Sequence, residues 1–298
     1  MAADPNYASV SLLLHGDGSN GSTTFTDSGP AARAPSSVGG SIAISTAQSK
    51  FGGASIDALR KGELFYSNSA FAFGTGDFTI EAWLRWNTAS GSQQYGAFQC
   101  CTASAAYSTS TSTSISVFAN TGDKWAVTCN AGVKSSELTI TTGAWHHLAI
   151  SRISGVVYVY VNGSLILVFA DTYNYANSGL VVGGYYSASF RFDGHIDDLR
   201  ITNGVGRYAG ASITAPTAAH PDLAKTVSGL IRDDASALCA RTVRAYDRAT
   251  GALIASTTSN ATTGAYSLDV GDDEIQRIVL DDSGGTLYND LIDRVIPA

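Results

Sequence analysis

The most constraining feature of the sequence is an alternating stretch from Gly143 to Val168, GAWHHLAISRISGVVYVYVNGSLILV. Aliphatic residues recur at every second position on both sides of Ser154-Gly155, which predicts two half-buried strands joined by a two-residue turn. With that turn Ile150 faces Val159, and the aliphatic side chains of both strands fall on one face. A three-residue loop would mix the two faces, so the pattern favours the shorter turn.

The opposite face of this predicted hairpin is aromatic. It carries Trp145, His147, Tyr158 and Tyr160. A sheet with one aliphatic and one aromatic face is typical of a β-sandwich whose outer surface holds a ligand. We therefore expect a sandwich with its aromatic face directed outwards.

Composition and charge exclude several functional classes. Only 14% of residues are charged, and the net charge of −7 leaves no basic patch of the kind that nucleic-acid binding requires. No apolar run has transmembrane length, and the N-terminus lacks the features of a signal peptide, so we expect a cytoplasmically made protein without membrane insertion. The four cysteines match no zinc-binding spacing.

A change of pattern near residues 215–222 divides the chain into two predicted domains. The prolines of PTAAHPDLAK and its lack of alternation predict a linker. Residues 1–222 then form one large β domain and residues 223–298 a small one. Short strand candidates in the small domain, separated by the turns RATG and NATTG, predict a compact sandwich.

Six segments of the large domain carry a family resemblance: SLLLHGDGS, ISTAQSKFGGASI, FGTGDFTIEAWLRW, GAWHHLAISR, VYVNGSLI and FDGHIDDLRITNGVGRY. In order and spacing they resemble the laminin-G-like, concanavalin-A-like jelly rolls of tailed-bacteriophage virion proteins. The C-terminal part, with VSGLIRDD and TGAYSLDV, is similar to the small prealbumin-like or carboxypeptidase-regulatory-like modules that close many such proteins.

This resemblance implies the fold and the setting. The implied fold is all-β, an antiparallel jelly-roll sandwich followed by a small Ig-like sandwich. The implied setting is a virion assembled in the host cytoplasm, where the chain is present in many copies and contacts other virion proteins.

The acidic residues of the large domain do not form the pair that glycoside hydrolysis requires. Such enzymes place two carboxyl groups on either side of the scissile bond. The only glutamates here are Glu63, Glu81 and Glu137, and none has a second acid nearby on the same strand face. The neighbours His146 and His147 point to opposite faces of a strand. We therefore predict a protein that is not an enzyme.

Aspartates at the two ends of the large domain are candidate calcium ligands. Asp17 and Asp197, or its neighbour Asp198, are expected to approach each other because the first and last strands of a jelly roll are adjacent. Carboxylate and carbonyl oxygens there would suit calcium. Alternatively, Asp17 caps a turn and Asp198 bonds to Arg200.

Tyrosines in predicted loops rich in Asn, Ser and Gly are candidate glycan contacts, because an exposed ring stacks on a sugar face. The same composition describes protein-binding loops. The sequence thus predicts a structural protein of a tailed-phage virion, in the tail, baseplate or head surface, that mediates protein or host-surface contacts. The alternative is a receptor-binding lectin for host polysaccharide, and a glycan hydrolase is disfavoured. The candidate tyrosines are Tyr95, Tyr173, Tyr175, Tyr185 and Tyr186.

Overall fold

The computed structural model divides the chain into two compact units. One is Ser9–His220, and the other comprises Met1–Ala8 with Pro221–Ala298. The break after His220 lies two residues before the predicted boundary, whereas residues 1–8, predicted to belong to the first domain, group with the other unit; the independent folding of two domains stays a prediction. No helix in the described part of the chain is long and apolar enough to span a membrane. The structure describes residues 4–89, 96–101, 114–120, 122–129, 132–184, 191–221, 226–233, 235–247, 251, 253–270, 275–280 and 290–295.

Two antiparallel sheets build the first unit. Sheet 1 has the strand order β13-β12-β11-β6-β15-β4-β3, with β1 also paired to β15, and sheet 2 has the order β10-β9-β8-β7-β14-β5-β2. The chain crosses between the two antiparallel sheets several times, which confirms the predicted jelly-roll sandwich. Short 3₁₀ helices span Tyr7–Ser9 and Ser69–Phe71. The strands are β1 Val10–Leu14, β2 Ser37–Gly40, β3 Ala43–Ser45, β4 Ser55–Asp57, β5 Gly62–Ser67, β6 Phe78–Trp86, β7 Gly96–Cys101, β8 Ile115–Asn120, β9 Lys124–Cys129, β10 Gly132–Thr139, β11 Trp145–Ile153, β12 Val156–Val161, β13 Ser164–Ala170, β14 Gly179–Val182 and β15 Gly194–Asn203.

The hairpin of β11 and β12 has the predicted register. Ile150 pairs with Val159, and the turn residues Ser154 and Gly155 both have positive φ angles, of 49° and 75°. A turn of this kind matches the twist of the flanking strands. Leu148, Ile150, Val157, Val159 and Val161 lie in the core between the sheets, as the alternation predicted, whereas the turn-proximal pair Ile153 and Val156 is half-buried on the other face.

One arginine lies within the core. The Arg152 guanidinium is fully buried and donates hydrogen bonds to the carbonyls of Gly74 and Tyr173, at 2.8 and 2.9 Å. It also lies over the rings of Phe78 and Tyr175. Burial lowers the pKa of Arg152, a shift that the nearby Asp171 carboxylate opposes. Arg152 therefore joins β11 to the loop that precedes β6.

The aromatic face of sheet 1 is not the open surface that the sequence predicted. Residues 204–220, here called the covering segment, lie over it. The Thr79 hydroxyl donates to the Val205 carbonyl at 3.0 Å, and the Tyr160 hydroxyl donates to the Gly210 carbonyl at 2.9 Å. His147 and Tyr160 are consequently buried. Alternation shows that a face is aromatic, but what covers that face is decided by a distant part of the chain.

The second unit also contains antiparallel sheets. One pairs β16 with β19, and the other has the order β18-β17-β20-β21. Its described core includes Val243, Tyr266 and Leu268. The predicted Ig-like identity of this unit stays a prediction. Its strands are β16 Thr226–Leu230, β17 Thr242–Asp247, β18 Leu253–Thr258, β19 Ala265–Asp269, β20 Ile275–Leu280 and β21 Asp290–Val295.

Candidate functional site

A group of ionisable side chains lies on the outer face of sheet 1, beneath the covering segment. We call this group the polar cluster. Strand alternation explains two of its members, because residues that flank Glu81 and His147 point into the core. Its members are His15, Glu81, His147, Asp198, Arg200, Tyr208 and His220.

Glu81 is the centre of the polar cluster. It is fully buried, and its direct cross-strand neighbour on β15 is Arg200, whose Nε and Nη2 donate to Glu81 Oε1 at 3.0 and 2.7 Å. The Tyr208 hydroxyl donates to Oε2 at 2.8 Å. Burial by itself would raise the pKa of Glu81, but Arg200, with His220 and His147, holds it well below its ordinary value. Glu81 is therefore a buried carboxylate that stays ionised.

Two imidazoles converge on Glu81 Oε2. His147 Nε2 lies 3.4 Å from it and His220 Nε2 lies 3.6 Å from it. Neither Nε2 atom has a hydrogen-bond partner among the described residues. Burial lowers the pKa of His220 more than the Glu81 charge raises it. The Trp83 ring packs against His147, with ring centroids 5.4 Å apart.

A β-bulge in β15 positions Asp198. Asp197 pairs with Trp83 and Arg200 pairs with Glu81, so β15 contains one more residue than β6 between these pairs. Asp198 has a φ of 51°, and bulges of this kind redirect side chains. Its carboxylate lies 2.8 Å from His15 Nδ1 and accepts the His220 backbone N–H at 2.9 Å. The bulge thus connects the end of β1 to the covering segment.

The two predicted calcium ligands lie near each other on sheet 1, since Asp197 belongs to β15, Asp17 follows β1, and β1 pairs with β15 as expected. Asp197 is 1% exposed, and its Oδ2 accepts the backbone N–H groups of Lys50 and Phe51 at 2.6 and 3.2 Å. Its Oδ1 is buried and has no partner in the described ranges. Burial, reinforced by the charges of Asp198 and Asp17, raises the pKa of Asp197 to about 7 although the two N–H donors lower it.

Asp17 is exposed, and its carboxylate lies against Gly52. Gly52 has a φ of 62°, and a Cβ atom there would collide with the Asp17 carboxylate. Burial raises the pKa of Asp17, and so does the Asp198 charge, while His15 lowers it. The surroundings of Asp17 and Asp197 are therefore acidic and include one buried oxygen without a partner among the described residues. Such oxygens are the ligands that calcium prefers.

The structure describes two of the five tyrosines predicted to contact glycan, Tyr173 and Tyr175. Tyr175 is wrong as a glycan contact, because it is 2% exposed and its hydroxyl donates to Asp171 within the core. Tyr173 is half-buried and packs edge-on against Tyr175, with ring centroids 5.1 Å apart. Tyr95, Tyr185 and Tyr186 lie outside the described residues.

Sequence reasoning missed three members of the polar cluster, His15, Tyr208 and His220, and it named Arg200 only as a partner of Asp198, whereas Arg200 donates to Glu81. His220 belongs to the stretch predicted as a linker, yet it is buried. The usable signal was the outward position of Glu81 and His147 on two strands, since unpaired polar side chains on a covered face need partners. The partners themselves come from distant segments and leave no local pattern.

The family comparison matches part of the first unit. Residues 62–206 match the family model described as the concanavalin A-like lectin/glucanases superfamily. The matched stretch contains Glu81, His147 and Arg200, but neither His15 nor His220. No curated protein matches the sequence.

Solved structures resemble the fold at low sequence identity. Domain 4 of an extracellular arabinanase from Geobacillus stearothermophilus, solved with arabinotriose, is 18% identical; the match covers 69% of this chain and 94% of that chain with a TM-score of 0.49. Trypanosoma rangeli sialidase with sialic acid is 11% identical, with 66% and 31% covered and a TM-score of 0.46. The CBM40 of the Ruminococcus gnavus IT-sialidase, bound to α2,3-sialyllactose, is 9% identical, with 49% and 88% covered and a TM-score of 0.39. This chain spans less than a third of the sialidase.

Proposed function

We propose that the protein is a non-enzymatic surface component of a tailed-phage particle, whose lectin-like first unit contacts the host cell surface. The observation that carries the proposal is that the glutamates of this unit form ion pairs within the fold. Glu81 is buried against Arg200, Glu63 pairs with Arg191 at 2.6 Å, and Glu137 pairs with Lys124. Asp198 lies near Glu81, since each has an oxygen within 3.7 Å of His220 Nε2, but both carboxylates are fully buried and therefore cannot flank a scissile bond as glycoside hydrolysis requires.

A serine-based hydrolytic centre is also disfavoured. Ser55 Oγ lies 3.2 Å from His195 Nδ1, and Asp57 interacts with the same histidine, so the residue types of a catalytic triad meet here. Ser55, however, is fully buried and its hydroxyl donates to the Gln48 carbonyl at 2.7 Å. A nucleophile must reach substrate and transfer its proton to the base. This serine does neither.

Because the outer faces of the two sheets are largely covered, we assign the binding role to the loops. The covering segment buries His147 and Tyr160 on the aromatic face of sheet 1, and the central part of the outer face of sheet 2 is buried as well, although Val133 on β10 is 44% exposed. Gln99, Ser116 and Thr128 on that face are at most 1% exposed. Tyr95, Tyr185 and Tyr186 remain the predicted glycan contacts.

Weak single contacts suit a protein displayed in many copies. A sugar stacked on tyrosine gains roughly 1 kcal/mol beyond its buried area, by analogy with aromatic pairs. Multivalent attachment raises avidity by roughly 10² to 10⁴ without any new contact. The sequence resemblance to virion proteins supports such display.

A purely structural role on the particle is the second candidate. The burial of the central part of both outer faces favours it, because aromatic side chains there, such as Tyr160 and Phe118, are covered. In this role the same loops contact neighbouring virion proteins.

Binding of host polysaccharide by artificial multimers tests the proposal. Tetramers of the full chain should bind immobilised host polysaccharide while the monomer binds poorly. Combined Tyr185→Ala and Tyr186→Ala changes should reduce tetramer binding several-fold. The matched control is Tyr158→Ala, which removes a half-buried tyrosine from sheet 1 and should leave binding unchanged.

Two outcomes would contradict this function. Tetramers that bind none of the host polysaccharides tested would favour the purely structural role. Release of reducing sugar by the purified chain would show an enzyme instead.

Calcium at Asp17 and Asp197 stays a prediction. The buried, unsatisfied Asp197 Oδ1 supports it, and its role there would be structural.

A further inference from the structure

We propose that Glu81, His147 and His220 bind a Zn²⁺ ion beneath the covering segment. This site is separate from the expected calcium position, and the proposed function does not depend on it. The three ligand atoms, Glu81 Oε2, His147 Nε2 and His220 Nε2, lie within 4.8 Å of one another.

Two of the three spacings between the ligand atoms match those around one shared ion, and the third is within 4.8 Å. Zinc binds imidazole nitrogen and carboxylate oxygen at about 2.1 Å, and two such ligands at a tetrahedral angle stand about 3.4 Å apart. The distances from Glu81 Oε2 to the two imidazole Nε2 atoms are 3.4 and 3.6 Å. Direct N–H···O hydrogen bonds cluster near about 2.9 Å. Both observed distances are longer than this and match the separation of neighbouring metal ligands.

The imidazole nitrogens point to an absent partner. His147 is fully buried and His220 nearly so, and both Nε2 atoms lack a hydrogen-bond partner among the residues described. Buried polar atoms without partners are rare in folded proteins because water has been removed from them and nothing replaces it. A metal ion between the two nitrogens and Glu81 would satisfy both at once.

The surrounding side chains support Glu81 as a ligand. Arg200 occupies Oε1 and Tyr208 donates to Oε2, which leaves a lone pair of Oε2 for a metal. Hydrogen bonds of this kind orient metal-binding carboxylates. Asp198 Oδ2 lies 3.7 Å from His220 Nε2, so two carboxylates and one guanidinium surround the site and leave it net negative. A divalent cation would offset that charge.

The ligand set and its location select the metal and its role. Two imidazoles with one carboxylate favour zinc over calcium or magnesium, which prefer oxygen ligands alone. The site joins β6, β11 and the covering segment, and it is closed from solvent by Trp83 and that segment. The ion would therefore be structural and would fasten the covering segment to sheet 1.

Metal content after refolding tests the site. The full chain without a histidine tag is unfolded with chelator, refolded with Zn²⁺ or with EDTA, desalted and analysed for metal. We expect about one Zn²⁺ per chain and a higher melting temperature than after refolding in EDTA. Co²⁺ in place of Zn²⁺ should give the visible absorption of a tetrahedral N/O site.

Matched variants separate this site from others. His220→Gln and His147→Gln should each weaken Zn²⁺ binding by at least the roughly 10- to 100-fold that follows loss of an outer-shell partner. His195→Gln, which removes a buried histidine outside the cluster, and Asp197→Asn should keep the ion.

A folded wild-type chain that retains no Zn²⁺ after refolding in excess metal would overturn the proposal, whatever the folding of the variants. Unchanged Zn²⁺ binding in a folded His220→Gln chain would overturn it as well.

Discussion

A buried carboxylate must have its charge compensated, and the first unit shows two ways of doing so at the scale of the residue. Glu81 faces the Arg200 guanidinium, which keeps the Glu81 pKa low. Asp197 receives only backbone N–H groups on one oxygen, and its pKa rises to about 7. The two side chains are equally hidden from water, so the difference lies in their partners. Ionised Asp197 therefore destabilises the metal-free fold at neutral pH.

Asp197→Asn should change how stability depends on pH in the presence of EDTA. The unfolded carboxyl group ionises near 3.8 and the folded group near 7, so between these values the folded state binds more protons. The free energy of unfolding of the wild type should fall as pH rises through this window, by on the order of 4 kcal/mol. Asp197→Asn should remove that fall, since an amide oxygen accepts the same N–H groups. Urea unfolding at pH 4, 5.5 and 8 measures it.

Exposed Asp17 provides the control, because Asp17→Asn should leave most of the pH dependence in place. Equal pH dependence in wild type and Asp197→Asn would contradict the assignment. Added calcium at pH 8 should stabilise the wild type and not Asp197→Asn if the expected calcium site exists.

At the scale of the element, the hairpin of β11 and β12 is organised by which face each side chain occupies. Val159 lies on the core face and is 1% exposed, while Val168 on the adjacent β13 is 54% exposed. The two valines are chemically identical and about one strand apart. Any difference between them must come from burial.

Val159→Asp should unfold the first unit, because an unpaired charge in the core costs several kcal/mol, on the order of the stability of a domain. Val168→Asp is the matched control and should change the free energy of unfolding by about 0.5 kcal/mol or less. Thermal melts followed by circular dichroism compare the two. A soluble Val159→Asp protein with an unchanged melting temperature would show that the hairpin is wrongly oriented.

At the scale of the whole molecule, the C-terminal end of the first unit is part of its folded structure and not a simple linker. The covering segment contributes Tyr208 and His220 to the polar cluster, and the His220 backbone N–H donates to Asp198. The part of the chain predicted as a hinge at residues 215–222 therefore begins inside the first unit.

Limited proteolysis should release a stable fragment of about the first 220 residues. Each unit is held together by its own contacts, whereas the segment that connects them is crossed by few and is the easier site to cleave. A fragment of residues 9–221 should melt at a higher temperature than one of residues 9–214, which lacks His220 and its bond to Asp198. Equal melting temperatures would show that the end of the covering segment contributes nothing. Cleavage scattered through both units would contradict the division.

The sequence by itself determined the features that depend on local periodicity. Alternation placed β6, β11 and β12, chose the two-residue turn at Ser154-Gly155 and identified the core face. It also placed His147 on the outward face, and the order of motifs identified the jelly roll. These features are predictable because a strand repeats every two residues, so neighbours in sequence report which face is buried.

Only the tertiary structure decided what meets on the outward face. Glu81 meets Arg200 because β6 pairs with β15, and it meets His220 because the covering segment returns across sheet 1. Tyr175, which sequence composition placed in a binding loop, packs in the core, and this position too depends on distant parts of the chain. Strand pairing and the path of an irregular segment join residues more than 100 positions apart, and no local pattern encodes such contacts. The polar cluster is therefore a product of topology, whereas the strands that carry it are products of periodicity.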